Sequence, residues 1–175
     1  MDGREAFDEL VAALDGALVV VTVAAGDERA GCLVGFHSQC SIDPPRYALW
    51  LSKANRTFRV ALHARHLAVH LLADADHDLA ALFGGETGDD VDKFAACAWT
   101  PGPDGVPLLD RVPRRVVARK RTLLDDGSDH VCVVLEPVDA VAAGPFAPLR
   151  LSAVDDVDPG HAAEERPQPV DERAP

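Results

Sequence analysis

Short apolar segments rich in valine, leucine and alanine recur along this chain, and turn-forming residues separate them. The first, residues 17–24, reads ALVVVTVA; it is β-branched and too short for a buried helix, so it is predicted to be a buried strand. The other strand candidates are 30–36, 47–52, 66–72, 114–123, 130–138 and the short 149–151. Because strands outnumber helices and follow each other at short intervals, we predict a mainly β fold, an antiparallel sheet closing on itself with flanking helices.

Helical patterns occupy the remaining segments. Asp2 and Glu5 have the spacing of a capping box, and one apolar stripe follows them at i, i+3, i+4 and i+7 before Gly16. That stripe of an amphipathic helix consists of Phe7, Leu10, Val11 and Leu14. Further helical segments are predicted over 55–64, 76–83 and 92–97, whereas the proline-rich residues 100–107 are predicted to be loop.

Length and charge limit the class of protein. The 175 residues suffice for one domain, predicted over 1–154, and the acidic, proline-rich residues 155–175 are predicted to be a mobile tail. The net charge of −12 disfavours nucleic acid as a partner. No run of about 18 apolar residues is present and the N-terminus has no apolar stretch like that of a signal peptide. We therefore expect a cytoplasmic protein that is not bound to a membrane.

The most informative polar stretch is 52–59, SKANRTFR, which places three cations where a strand meets the start of a helix. Backbone N–H groups and the positive end of the helix dipole favour an anion at such a place. Arg56 can hold a phosphate with two donors, and Asn55 and Thr57 can add neutral ones. An ordinary capped helix with a solvated basic face has the same pattern, so both interpretations stay open.

Two further polar sites follow strands or turns. In residues 38–45, SQCSIDPP, the prolines predict a rigid connection, but they do not explain why polar Ser38, Gln39 and Ser41 come so soon after an apolar strand. His130 follows the predicted hairpin turn at 125–128 and could contact a ligand or carry a proton. A histidine in this position is more often a surface turn residue.

Several common site types have no support in the sequence. The four cysteines have no CxxC spacing, and His66 and His70 lack a third candidate ligand, so no metal site is predicted. There is no GxSxG, Walker loop, HExxH or GxGxxG sequence. The common hydrolase, nucleotidase and dinucleotide-fold interpretations therefore lose support.

Taken in order, these pieces resemble the flavin reductase family over about residues 15–142. Residues 31–45, GCLVGFHSQCSIDPP, are similar to the family's glycine, its run of small residues and its Ser-x-Asp-Pro-Pro. Residues 54–57 stand where the family has a phosphate-binding turn. Asp-Lys-Phe at 92–94 and Gly-Ser-Asp-His at 127–130 are similar to two later family motifs.

The resemblance implies an FMN-binding split β-barrel, usually a homodimer with the flavin near the subunit interface. It implies hydride transfer from NADH or NADPH to the flavin, with FAD as the other flavin it allows. A monooxygenase partner that takes up the reduced flavin is compatible with this activity. Such chemistry needs no protein nucleophile, because the cofactors carry it.

The resemblance also assigns roles by position. The residues that would line the flavin are Leu33, Val34, Gly35, Phe36, His37 and Ser38, with Ser41 in the same segment. The residues that would hold its phosphate are Lys53, Ala54, Asn55, Arg56 and Thr57. Phe94 would close over the flavin, and His130, the one catalytic candidate, would approach the nicotinamide.

Two departures from the family keep other functions open. The family often has small hydroxyl residues at the positions of Leu33, Gly35, Phe36 and His37. With fewer side-chain donors facing the flavin ring, backbone N–H groups would have to supply more of the hydrogen bonds to it. The family's C-terminal segment with tyrosines is missing, and His161 is a candidate to replace its histidine. The alternatives are a non-catalytic split-barrel module that binds flavin, heme or another anionic planar ligand, and an oxidoreductase that uses a deazaflavin.

Overall fold

The computed structural model describes residues 2–160. The helices in this range are α1 (Gly3–Ala12), α2 (Arg56–His63) and α3 (His77–Gly85). The strands are β1 (Val19–Ala25), β2 (Glu28–Val34), β3 (His37–Ser41), β4 (Arg46–Ser52), β5 (His66–Leu71), β6 (Trp99–Pro101), β7 (Pro107–Leu109), β8 (Arg115–Leu124) and β9 (His130–Val141). Short 3₁₀ turns connect several of them.

Seven strands form one curled antiparallel sheet in the order β2-β1-β5-β8-β9-β4-β3, and β6 pairs with β7 separately. The β8–β9 hairpin turns where the sequence predicted it, at residues 125–128. Adjacent strands pair antiparallel throughout the large sheet, which forms half of a barrel. The predicted mainly β fold with flanking helices is confirmed.

The alternation of side chains along the strands separates a buried face from an outer face. On β9, Val131, Val133 and Leu135 are buried, whereas Cys132 and Val134 between them are only partly buried. The buried face packs against α2 through Val60 and Ala61, and its cluster includes valines of β1 and leucines of β4. A second cluster lies beneath α3. It joins Leu18, Leu72, Phe83, Leu109, Leu149 and Val154.

Strand β3 was not predicted, because residues 38–45 were interpreted as a connection. Its backbone pairs with β4, from His37 opposite Leu49 to Ser41 opposite Arg46. β3 lies at the edge of the sheet, and its three central residues are exposed. An edge strand that buries neither face has no apolar alternation, so the pattern used for the other strands could not reveal it.

Two smaller predictions also need correction. Residues 100–107 are not all loop, because β6 and β7 pair from Trp99–Leu109 to Pro101–Pro107 around a 3₁₀ turn. Residues 149–151 do not form a strand; this segment makes only isolated bridges, Ala17–Arg150 and Ala73–Pro148. In both places prolines limit regular hydrogen bonding, so only short pairings form.

The first residues of the acidic C-terminal segment contact the body of the domain. The side chain of Val157 packs against the cluster beneath α3, and the backbone N–H of Gly160 donates to the carbonyl of Gly84 at 3.0 Å. The rest of the predicted mobile tail, residues 161–175 with His161, lies outside the described residues. Among residues 2–160, no helix is long and apolar enough to cross a membrane.

Candidate functional site

The junction between β4 and α2 holds the basic residues that the sequence pointed to. Asn55 caps α2, since its Oδ1 accepts a hydrogen bond from the backbone N–H of Thr57 at 3.0 Å. The backbone N–H of Lys53 donates to the carbonyl of Asp129 at 2.9 Å. The Lys53 ammonium pairs with Asp125 at 2.7 Å, and this hydrogen bond holds the pKa of the Asp125 carboxyl below its usual value. The positive end of α2 therefore lies beside the tip of the β8–β9 hairpin.

Arg56, the first residue of α2, lines a cleft of about 280 Å³. Its Nη1 donates to the carbonyl of Gly88 at 2.9 Å, and its Nη2 lies 3.4 Å from a carboxylate oxygen of Glu28. A guanidinium carries more N–H donors than these two contacts use. Arg29 and Lys93 line the same cleft, so its cationic side chains come from three separate parts of the chain.

The acidic segment 88–92, GDDVD, forms one wall of this cleft. Asp89 accepts two hydrogen bonds from Arg59 Nη2, at 2.5 and 2.6 Å, and Asp92 pairs with Arg29 at 3.1 Å. Asp27 and Glu28 face the cleft as well. An anionic ligand that enters here competes with these carboxylates for the arginines.

Lys93 and Phe94 lie at the inner end of the cleft and are largely buried. The Lys93 ammonium donates to the carbonyls of Phe83 at 2.9 Å and Gly31 at 3.3 Å, and burial lowers its pKa. The Phe94 ring makes edge contacts with Phe83 and Trp99, with centroid separations of 5.7 and 5.8 Å. Phe94 is therefore part of the core beneath α3, with only its edge at the cleft, rather than a free lid.

His130 and Phe36 meet on the other side of the β4–α2 junction. Their rings form an edge contact with centroids 5.4 Å apart, and His130 Nδ1 lies 3.1 Å from the Asp129 carboxylate. His130 also lines a second cleft, of about 400 Å³, together with Trp50 and Cys132. Because Ser52 pairs with His130 across β4 and β9, this second cleft adjoins Lys53.

His37 is fixed by hydrogen bonds within the protein. Its Nε2 donates to the carbonyl of Ala17 at 2.8 Å, so its Nδ1 accepts from the hydroxyl of Tyr47 at 2.5 Å. The two rings also stack, and burial raises the pKa of Tyr47, which keeps that hydroxyl protonated. Both ring nitrogens of His37 are thus engaged, and it anchors β3 to β4 and to Ala17, two residues before the start of β1.

The other residues of segment 33–41 differ in accessibility. The side chain of Val34 is buried in the core, and Leu33 lies against α3, where a Cβ on Gly84 would come within 2.9 Å of it. Phe36 and Ser38 are exposed. Ser41 is partly buried, and its carbonyl accepts a hydrogen bond from Gln39 at 3.1 Å.

The structure divides nine of the fourteen predicted site residues into three groups, and the other five lie in the segment described above: Leu33, Gly35, His37, Ser38 and Ser41. Lys53, Ala54, Asn55 and Arg56 surround the start of α2, and Phe36 and His130 lie beside them. The third group faces the core and cannot touch a ligand through its side chains: Val34, Thr57, whose hydroxyl is buried beside the Cys32 thiol, and most of Phe94.

Sequence reasoning missed the partners of the basic residues. Gly88, Glu28 and Asp125 contact the cations of the junction but lie 28 to 72 residues away from them in the chain. The one sequence feature that could have indicated these partners was the acidic run at residues 88–92, to which no role was assigned. Trp50, an exposed aromatic residue beside His130, was counted only as part of a strand.

Comparisons with known proteins show which proteins this chain is similar to. The family described as "Flavin reductase like domain" matches residues 12–151. The FMN reductase (NADH) RutF of Stutzerimonas stutzeri is 32% identical over 107 residues, which are 61% of this chain and 61% of that protein. The stachydrine N-demethylase reductase subunit Stc3 of Rhizobium meliloti is 30% identical over 118 residues, 65% of this chain and 50% of that protein.

The chain thus spans between half and three fifths of the length of these two curated relatives. Among solved structures, the NADH:FAD oxidoreductase SgcE6 of Streptomyces globisporus superposes with a TM-score of 0.75 at 20% identity. That superposition covers 87% of this chain and 92% of the other. At this identity the likeness supports the fold.

Proposed function

The chain belongs to the flavin reductase like domain family, and from that membership we propose that it is an oxidoreductase that transfers a hydride from NADH or NADPH to FMN. The observation that carries the proposal is the β4–α2 junction. There the capped start of α2, Lys53 and Arg56 lie next to the exposed ring of Phe36 and to His130. A phosphate and a planar ring are the two parts of FMN that such neighbours recognise.

The residues present fit FMN in the part of the site that binds an anion. Arg56 and the backbone at the start of α2 would hold the phosphate, and Lys53 would add a second cation. Phe36 would pack against the ring, with the backbone of Gly35 beside it. Val34, Thr57 and Phe94 would act by shaping the core under the site. Bound flavin supplies the acceptor of the hydride, so no protein nucleophile is needed.

His130 would position the nicotinamide rather than exchange a proton. It lies at the edge of the Phe36 ring and is paired with Asp129, so its ring plane is fixed. A nicotinamide that is held at near-attack distance from the flavin, about 3–3.5 Å, needs correct alignment more than it needs a group that donates or accepts a proton. Replacing His130 would therefore change hydride transfer more than flavin binding.

We also propose the finer properties that the family suggests. FMN is the preferred flavin, with FAD as the alternative, and the enzyme is a cytoplasmic homodimer. Its reduced flavin would be used by a partner monooxygenase, because one similar protein, 24% identical over 128 residues, is named as the reductase subunit of a flavin-dependent monooxygenase. These partners and the location rest on the relatives and on the sequence-based expectations.

The first test is a titration of the purified protein with FMN, followed by fluorescence quenching. Arg56→Ala removes a charged hydrogen-bond donor, worth about 1.5–3 kcal/mol, so the Kd for FMN should rise roughly 10- to 100-fold. Arg65→Ala is the matched control, because Arg65 is an exposed arginine just beyond the C-terminal end of α2, away from the proposed site. Saturable quenching that is identical in both variants would contradict the proposed phosphate site.

The second test is the consumption of NADH or NADPH in the presence of free FMN. Steady oxidation of the nicotinamide by the wild-type protein would support the proposed reductase activity. A stoichiometric bound chromophore without nicotinamide oxidation would instead favour the non-catalytic binding module. One observation favours that alternative. His37 lies at a position where the family often has a small hydroxyl residue, and both of its ring nitrogens are hydrogen-bonded within the protein, to Ala17 and Tyr47.

A further inference from the structure

The cleft that Arg56 lines extends the proposed phosphate site away from the flavin ring. Arg56 reaches it from the start of α2, whereas Phe36 and His130 meet on the other side of the β4–α2 junction. FAD is FMN with adenosine monophosphate joined to its phosphate. With the ring beside Phe36 and the first phosphate at Arg56, the second phosphate and the adenosine of FAD would enter this cleft. Its lining therefore bears on which of the two flavins the site accepts.

Carboxylates outnumber cations among the side chains that line this cleft. The acidic residues of the lining are Asp27, Glu28, Asp89, Asp90 and Asp92. The cationic residues of the lining are Arg29, Arg56 and Lys93. Like charges that are brought together at a binding surface oppose association. A ligand phosphate that lies beyond Arg56 therefore meets a wall with an excess of negative charge.

The cations of the cleft already have partners within the protein. Arg29 pairs with Asp92 at 3.1 Å, and the Lys93 ammonium donates to two backbone carbonyls at 2.9 and 3.3 Å. Arg56 is the cation that would hold the first phosphate. A second phosphate would therefore have to break an existing contact of Arg29 or Lys93 to gain a cation of its own.

Two of the carboxylates in the cleft have no counter-charge. Asp27 lies in the turn between β1 and β2, Asp90 lies in the loop after α3, and both are exposed. Within residues 2–160, neither of these side chains takes part in a hydrogen bond or an ion pair, whereas Asp89 pairs with Arg59. The charges of Asp27 and Asp90 are therefore reduced only by screening, and both can repel an anion in the cleft.

The aromatic surface at the inner end of the cleft is already covered. The guanidinium carbon of Arg29 lies 5.9 Å from the centroid of the Phe94 ring and 5.3 Å from that of Trp99. The ion pair with Asp92 holds Arg29 in this position. Nucleic-acid bases bind well by stacking on an open aromatic face. Because Phe94 is the aromatic residue of the described lining and Arg29 covers it, an adenine has no such face here.

We propose that this cleft rejects the adenosine monophosphate half of FAD and makes the protein selective for FMN, with Asp27 and Asp90 as residues that set the selectivity. The proposal rests on the FMN site proposed above and names what distinguishes the two flavins there. The terminal phosphate of FMN carries a charge of about −1.5 to −2 at neutral pH, all of it beside Arg56. In FAD the negative charge is divided between two phosphates, and the second lies against the acidic wall. FAD therefore loses attraction at Arg56 and gains repulsion beyond it.

The test is the ratio of the Kd for FAD to the Kd for FMN, measured by isothermal titration calorimetry. For the wild type this ratio should be at least about tenfold. Asp27→Asn with Asp90→Asn removes two unpaired charges without breaking an ion pair, and it should lower the ratio roughly three- to tenfold. The matched control is Asp8→Asn with Asp139→Asn, at exposed aspartates of α1 and β9. It changes the net charge equally and should leave the ratio as it is in the wild type.

Riboflavin, which has no phosphate, is the reference ligand, and its Kd should be the same in the wild type and in both double variants. Equal Kd values for FMN and FAD, tighter binding of FAD, or a ratio that the Asp27 and Asp90 substitutions leave unchanged would each overturn the selectivity while the FMN site stands. The same holds if the control lowers the ratio as much, since the effect would then follow net charge and not the cleft. If neither FMN nor FAD binds, the proposed function fails, and the selectivity fails with it.

Discussion

The free energy of unfolding of this protein should decrease as the pH falls, over a pH range that is set by the buried imidazole ring of His70. It lies on β5 and is fully buried between β1 and β8. Its Nδ1–H donates to the carbonyl of Val20 at 3.2 Å, and its Nε2 accepts from the backbone N–H of Leu109 at 3.0 Å. This pairing requires the neutral ring, because protonation would turn the acceptor Nε2 into a second donor facing another N–H.

Burial lowers the pKa of His70 from 6.5 to about 4 in the folded protein, and the nearby Arg115 adds to the effect. The unfolded chain therefore takes up this proton at a higher pH than the folded chain does. The stabilising contribution is complete above the unfolded pKa and is lost as the pH falls from about 6.5 to about 4. At 1.36 kcal/mol for each pKa unit, the loss reaches about 3 kcal/mol.

The assay is urea unfolding followed by circular dichroism at a series of pH values between about 7 and 4. With an m-value of about 1–3 kcal/mol per molar, the midpoint of the wild type should fall by roughly 1–3 M across this range. His70→Gln should be less stable at neutral pH but lose much less on acidification. His63→Asn, at an exposed histidine of α2, should keep the wild-type slope. Equal slopes for wild type and His70→Gln would refute the reasoning.

Two further substitutions test the packing around α3. A Cβ on Gly31 would come within 2.8 Å of the Phe83 ring, so Gly31→Ala should lower the free energy of unfolding by about 1–3 kcal/mol. The control is Gly3→Ala, where the new Cβ meets nothing within 4 Å, and it should lower the free energy of unfolding by much less. Leu149 is buried in the cluster beneath α3, so Leu149→Ala should cost about 2–5 kcal/mol in thermal or urea unfolding; a cost below 1 kcal/mol would mean that the segment after β9 does not belong to the core.

The strands that the sequence predicted well are those whose own residues are apolar enough to indicate that they are buried. β1 and β5 are apolar along most of their length because they lie inside the sheet, and their composition alone identified them. β3 is polar because it lies at the edge, and only its pairing with β4 makes it a strand. β6 and β7 likewise depend on each other across a proline-rich turn. Strands that depend on a distant partner have no local pattern to predict them.

The candidate site shows the same division. The cap at Asn55 and the cations at 53 and 56 are local features, and the sequence located them. How freely those cations can bind an anion depends on distant carboxylates and carbonyls, since Asp125 holds Lys53 and Gly88 holds Arg56. A phosphate held at the proposed site at the start of α2 would have to share Arg56 with Gly88 and Glu28, so the affinity for FMN would depend on the loop at 88–92 as well as on α2 itself. A motif match therefore identifies the cations at the start of α2, but not the distant carbonyl and carboxylate groups that compete for them.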